Sequence, residues 1–307
     1  MPYPKKVTIK EVGPRDGLQN EPVWIATEDK ITWINQLSRT GLSYIEITSF
    51  VHPKWIPALR DAIDVAKGID REKGVTYAAL VPNQRGLENA LEGGINEACV
   101  FMSASETHNR KNINKSTSES LHILKQVNND AQKANLTTRA YLSTVFGCPY
   151  EKDVPIEQVI RLSEALFEFG ISELSLGDTI GAANPAQVET VLEALLARFP
   201  ANQIALHFHD TRGTALANMV TALQMGITVF DGSAGGLGGC PYAPGSSGNA
   251  ATEDIVYMLE QMDIKTNVKL EKLLSAAKWI EEKMGKPLPS RNLQVFKSSL
   301  EHHHHHH

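Results

Sequence analysis

The chain has 307 residues, 42% of them hydrophobic and 21% charged, which is the composition of a folded globular protein with a large core, and one domain can hold it at this length. A net charge of −5 without any lysine- or arginine-rich block argues against nucleic acid as a main partner, since phosphate binding needs a basic footprint. No apolar stretch approaches the roughly 20 residues of a membrane span, and MPYPKKVTIK carries no apolar leader, so the expectation is a cytoplasmic protein.

In chain order, short β-branched or apolar runs begin near Val7, Tyr44, Val75, Glu97, Thr137, Ile171, Ile204 and Val229, at intervals of 22 to 40 residues. Helical patterns lie between them. Ser116-x-x-Glu119 is a capping box, and Ile156, Val159, Ile160 and Phe167 form an apolar stripe. Asn184-Pro185 reads as cap and first turn of a helix that puts Val188, Val191, Leu192, Leu195 and Leu196 on one face, and Leu216, Met219, Val220 and Leu223 repeat the pattern. Helices are expected to end near Gly41, Gly93, Gly170 and Gly226.

Eight strand-helix units predict an α/β fold of the (β/α)8 barrel type rather than an open doubly wound sheet. The open sheet would also bring a nucleotide fingerprint, and neither G-x-G-x-x-G nor G-x-x-x-x-G-K-[ST] is present; GGLGGC at 235–240 does not fit. A further C-terminal helix carries Leu270, Leu273, Leu274, Ala277 and Trp279. The reading is one catalytic domain over 1–299, followed by an expression tag, LEHHHHHH, at 300–307.

Five histidines remain outside the tag, and two of them stand in LHFHD at 206–210. Side chains alternate along a strand, so His207 and His209 at the end of the seventh strand share a face, and in a barrel that face opens on the mouth. Two imidazoles there can share a metal, although an isolated His-x-His is as often a pair of core histidines. Other strand ends add Arg15 and Asp16, Glu46 and Thr48, and Asp178 and Thr179 to the same rim. Charges so placed are tolerated when paired or bound to a cation, and oxygen plus imidazole without thiolate favours Mg2+ or Mn2+.

The three cysteines, Cys99, Cys148 and Cys240, are too few and too scattered for a disulfide framework. Cys99, inside EACVFM, reads as a small buried hydrophobe. Cys240 differs: Gly235, Gly236, Gly238 and Gly239 precede it, and Pro241 and Pro244 follow, which predicts a mobile loop carrying a thiol.

The segments EVGPRDGLQNE (11–21), YIEITSF (44–50), LGDTIG (176–181), LHFHDTRG (206–213) and SAGGLGGCPYAPGSSGNAATED (233–254) resemble the 3-hydroxy-3-methylglutaryl-CoA lyase family across the whole barrel. His-x-His and Arg-Asp-Gly are shared with related acyl transferases and synthases, whereas the GGLGGCP-[YF]-AP motif with the following SGN is much more specific to the lyases. Ala234 stands where the family often has a larger aliphatic residue. The resemblance implies metal-dependent cleavage of the acyl-CoA to acetyl-CoA and acetoacetate, in a homo-oligomer, as a dimer. It makes Asp16, His207, His209 and Asn249 the metal ligands. It also makes Arg15 the substrate-binding group that stabilises the enolate, Cys240 the acid, and Glu46 a support of the network. Asp16 or a water on the metal is the base, and His207 belongs among the catalytic residues.

Two other readings compete. An isopropylmalate or homocitrate synthase would run a condensation in the same barrel, but those enzymes typically continue Arg-Asp-Gly with Glu-Gln, where this chain has LQNE. A non-catalytic acyl-CoA-binding barrel would have no use for a cysteine in a glycine-rich loop. Arg110 and Lys111 could meet CoA phosphates, although exposed cations are more often simply solvated.

Overall fold

The computed structural model describes residues 2–239 and 248–305. Eight parallel strands close into a barrel in sequence order: β1 (Thr8–Glu11), β2 (Tyr44–Ser49), β3 (Thr76–Leu80), β4 (Glu97–Ser103), β5 (Thr137–Ser143), β6 (Glu173–Asp178), β7 (Ile204–Phe208) and β8 (Val229–Gly232), which pairs back onto β1. Each begins within two residues of the run that predicts it. Around them run α1 (Thr27–Ser38), α2 (Ala62–Gly68), α3 (Gln84–Gly93), α4 (Glu106–Ile113), α5 (Thr117–Lys133), α6 (Ile156–Glu168), α7 (Pro185–Leu196), α8 (Ala215–Gln224) and α9 (Thr252–Gln261). The chain is a (β/α)8 barrel. No helix among the described residues is long and apolar enough to cross a membrane.

Local chemistry explains the helix limits. Ser116 and Glu119 form the expected reciprocal cap of α5, and the Asn184 side chain accepts from the Gln187 backbone with Pro185 in the first turn of α7. After α3 the left-handed residue is Gly94 rather than Gly93, because Gly93 still belongs to the last turn. The buried face of α8 is Ala215, Asn218, Met219, Ala222 and Leu223, with Leu216 and Val220 only at its margin.

The C-terminus differs from the expectation of one extra helix. Both α10 (Leu270–Met284) and α11 (Arg291–His305) follow the eighth unit, and α11 runs on through Leu300 into the segment read as tag. Asp254 in α9 receives the Arg291 and Asn292 backbone N–H groups, which fixes the start of α11.

Most of the core lies between the barrel wall and the helices, built from residues such as Trp33, Ile45, Leu124, Leu174, Leu192 and Phe230. The barrel interior is divided. Tyr44, Ala78, Leu80, Cys99 and Tyr141 make a small apolar cluster toward β2–β5, so Cys99 is the buried filler that its strand predicts. The remaining interior is polar: Arg139 of β5 pairs with Glu173 of β6 and Asp231 of β8.

Candidate active site

Asp16 is presented by a wide turn at Gly13–Gly17, in which the Asp16 and Gly17 N–H groups both reach the Val12 carbonyl. Turns of this width inside helical backbone concentrate at functional sites because they re-aim side chains. Glu46 sits where the β2–β3 register slips between Glu46 and Thr48, a bulge that re-aims a side chain in the same way. His207 is the penultimate residue of β7 and His209 follows its last, Phe208, both histidines buried. Asn249 arrives from the far end of the sequence. Its segment pairs across the strand tips, with Asp210 N–H donating to Gly248 O at 2.8 Å, Ala250 N–H to Phe208 O at 3.1 Å, and Ser233 N–H to Ala250 O at 2.9 Å.

These elements bring one candidate atom each of Asp16, His207 and His209 within 4.8 Å of one another. Asp16 Oδ2 lies 3.3 Å from His207 Nε2 and 3.7 Å from His209 Nε2. The longer distance is no hydrogen bond, and His209 Nε2 is buried without a partner among the described residues. Asn249 Nδ2 donates to Asp16 Oδ2 at 2.8 Å and to Leu237 O at 3.0 Å. A Cβ on Gly238, whose φ is +110°, would stand 2.4 Å from that amide nitrogen, so only glycine lets the backbone approach.

Arg15 is buried beside this group. Its Nε donates to Glu46 Oε1 at 2.5 Å and its Nη1 to Asp16 Oδ1 at 3.0 Å, with the guanidinium 5.1 Å from the centre of the Tyr141 ring. Burial opposes charge on Asp16, but the Arg15 guanidinium and the His207 hydrogen bond outweigh it and hold the carboxyl well below its ordinary range. Burial likewise opposes charge on His207, yet its hydrogen bonds to Asp16 and Asp231 push its pKa up to about 9.

Of the predicted rim, Asp16, Arg15, Glu46, His207, His209 and Asn249 come together, and Thr48 is buried with its hydroxyl unpartnered among the described residues. Asp178 turns away. Its two oxygens accept the Ala182 and Ala183 N–H groups at 2.9 and 2.8 Å, which makes it the organiser of the loop before α7 rather than a member of the cluster. Thr179 is exposed. Arg110 is engaged by Glu106 at 3.2 Å, and Lys111 lies over the Tyr150 ring. Cys148, half-way round the barrel, bonds to Ser105. Cys240 lies outside the described residues.

The sequence reading passed over Asp231, Arg139 and Glu173, and over the buried pair Glu11 and Glu253. A signal was available for Asp231 and Arg139: a charge inside a barrel strand, in VFDG and TTRAYLS, demands a partner across the interior, and Glu173, which opens ELSLGD, is one such partner. The geometry as a whole offers two imidazoles and a carboxylate converging on one point, with a guanidinium alongside, and no thiolate within the set. Such a group can hold a divalent cation next to a donor for developing negative charge.

Comparison with known proteins bears on what the arrangement does. A family model described as HMGL-like matches residues 6–280. The cytoplasmic 3-hydroxy-3-methylglutaryl-CoA lyase of Rattus norvegicus is 48% identical over 299 residues, which is 97% of this chain and 87% of the rat protein. The crystal structure of the hydroxymethylglutaryl-CoA lyase of Pseudomonas aeruginosa superposes with a TM-score of 0.95 at 45% identity, covering 97% of this chain and all of that one. An HMG-CoA lyase from Acinetobacter baumannii, solved with coenzyme A and 3-methylmalate, gives a TM-score of 0.89 at 40% identity, covering 95% of each chain.

Proposed function

The chain belongs to the HMGL-like family, and from that premise we propose that it cleaves 3-hydroxy-3-methylglutaryl-CoA to acetyl-CoA and acetoacetate. The observation that carries this reading is the convergence of Asp16, His207 and His209 beside the buried Arg15. The donor set suits Mg2+ or Mn2+, and the unpartnered His209 Nε2 is a lone pair that such an ion would satisfy. When bound, the ion supplies Lewis-acid polarisation of substrate oxygens.

Asp16, His207 and His209 would hold the ion. Asn249 joins them as a fourth ligand only if its amide turns over, because in this geometry its nitrogen faces Asp16. The bond between C2 and C3 breaks when the tertiary hydroxyl gives up its proton to a base, for which Asp16 is the best-placed carboxylate. C3 becomes the ketone of acetoacetate, and the electron pair passes to C2 as the thioester enolate. Arg15 stands ready to stabilise the enolate oxygen, with Glu46 fixing the guanidinium plane through Nε. Cys240 then delivers the proton to C2, and C1 and C2 leave with the CoA thiol as acetyl-CoA. A dimer is part of this reading.

A product assay decides the reading. Purified protein with Mg2+ should form equal amounts of acetyl-CoA and acetoacetate from the hydroxyacyl-CoA, and it should not consume acetyl-CoA with a 2-oxo acid. The reverse preference would make it a condensing synthase, and inertness in both assays would leave a binding barrel. Cys240→Ser should bind substrate normally and lose roughly 100-fold or more in kcat, the contribution of a general acid. A variant with wild-type kcat would remove Cys240 from the mechanism.

A further inference from the structure

His207 meets Asp16 through Nε2, but its other ring nitrogen is equally committed. Nδ1 lies 2.8 Å from Asp231 Oδ2. The same carboxylate receives Arg139 Nη2 on Oδ1 at 2.6 Å, Arg139 Nη1 on Oδ2 at 3.2 Å, and the Ser175 hydroxyl on Oδ2 at 3.0 Å. Arg139 is itself fully buried and fixed by Glu173 Oε1, 2.7 Å from Nε. From Glu173 through Arg139, Asp231 and His207 to Asp16 each carboxylate is followed by a guanidinium or an imidazole across the barrel interior. The Tyr141 ring meets the His207 imidazole edge-on, 5.6 Å between centres at 80°, and blocks rotation on that side.

We propose that Asp231, clamped by Arg139, is a positioning residue that keeps the proton of His207 on Nδ1 and so leaves the Nε2 lone pair aimed at the metal. With a cation on Nε2 the ring is neutral, and because an ionised carboxylate can only accept, the imidazole opposite Asp231 must then donate from Nδ1. Arg139 can only donate, so both oxygens of Asp231 stay turned toward donors and no other orientation is open to it. The proposal rests on His207 being a metal ligand, as argued above. It also explains why a barrel core tolerates a buried arginine: without Arg139 the Asp231 carboxylate would face His207 uncompensated, and its own ionised state would be lost.

The substitution Asp231→Asn separates tautomer from packing. The amide matches the carboxylate in size but offers one acceptor oxygen instead of two; with that oxygen on the shorter Arg139 bond, the 2.6 Å one from Nη2, its N–H group takes the place of Oδ2 and faces His207 Nδ1. The proton then moves to Nε2, the atom needed by the metal. Mn2+ binding, followed by the electron paramagnetic resonance signal of the free ion, should weaken roughly 10- to 100-fold in the variant. Equal affinity in wild type and variant would overturn the proposal while leaving the metal site intact. Wild-type protein that binds no Mn2+ would overturn the functional reading and this one with it. A second measurement does not depend on the Asp231 variant: in the Mg2+-loaded wild type with 15N-labelled histidine, the His207 signals, assigned by their loss in His207→Gln, should show the proton on Nδ1. A proton on Nε2 instead would overturn the assignment.

Discussion

Asp231 and Glu253 are both buried carboxyls at the same end of the barrel, 2% and 0% exposed, and their surroundings treat them in opposite ways. Burial alone would raise both. Around Asp231 the Arg139 guanidinium and His207 reverse that effect and hold the carboxyl below its ordinary range. Around Glu253 no cation stands among the described residues: burial first, then the nearby Glu11 carboxylate, push its pKa up to about 8, against backbone hydrogen bonds from Gly235 at 2.7 Å and from its own N–H. Glu11 is raised to about 7 for the same leading reason, although Thr252 and the Ala234 and Gly13 N–H groups bond to it. The first region is a charge network paired across strands, suited to holding an ion. The second is a neutral clamp on the backbone that leads into the glycine-rich segment. The contrast shows that burial sets the cost of a charge, and that the partners decide whether the charge is kept.

The comparison breaks most completely at Asp16. Asp16→Asn removes the only carboxylate among the three converging ligands and leaves Arg15 facing His207 without an anion between them. Cleavage should fall to background in the presence of Mg2+, and Mn2+ affinity should drop at the same time. Chelation of the wild type should have the same effect on turnover, with recovery on adding back Mg2+ or Mn2+. Full turnover by protein shown to be metal-free by elemental analysis would refute the matched network as a metal site.

Arg15 is the next largest effect. Its guanidinium would meet charge that exists chiefly in the transition state, so Arg15→Met should lower kcat far more than it raises KM, by about 3 to 4 kcal/mol for one such donor. Arg15→Lys should rescue poorly. It keeps the charge but cannot bond Glu46 through Nε and Asp16 through Nη1 at once. A variant with near-normal kcat and raised KM would make Arg15 a binding residue only.

The two regions were not equally legible in the sequence. The eight strands were, because apolar runs bounded by helical stripes and glycines carry their own limits. His207 and His209 were legible because alternation along a strand puts them on one face, and Asp16 and Glu46 because strand ends in a barrel converge. Asp231 and Arg139 were not: their pairing joins positions 92 residues apart, and only the closed barrel makes them neighbours. Asp178 shows the opposite failure. It occupies a rim position like the others, but the loop before α7 has N–H groups of its own to satisfy and takes both oxygens. Glu11 ends β1 on the buried face and Glu253 lies in the first turn of α9, and they meet at Ala234 and Gly235 through backbone N–H groups that no side-chain pattern announces.

The neutral clamp gives the smallest effect and the sharpest contrast with Asp231. A carboxyl whose folded pKa lies above its unfolded value binds protons on folding, so the stability it supports is present at low pH and lost as pH rises. For Glu11 and Glu253 the window runs from the ordinary value of 4.5 up to about 7 and about 8 respectively. The pair should therefore weaken the folded state progressively between pH 5 and 8.5, since each pH unit between a carboxyl's unfolded and folded values counts about 1.4 kcal/mol. Other groups titrate in the same range, so the wild-type curve alone does not isolate the clamp. The difference between wild type and Glu253→Gln does, because ionisations common to both cancel. The amide oxygen of Glu253→Gln can still accept from Gly235, and no charge develops. Thermal melts should therefore show the variant gaining on the wild type by several degrees as pH rises from 5 to 8.5. Curves that stay parallel would mean that Glu253 is ionised in the folded state throughout, and that a cation or a water chain answers it after all. An Asp231→Asn variant followed in the same way should run opposite, losing ground to the wild type as pH rises from 2 to 5, because its wild-type carboxyl is held low and contributes stability only once ionised.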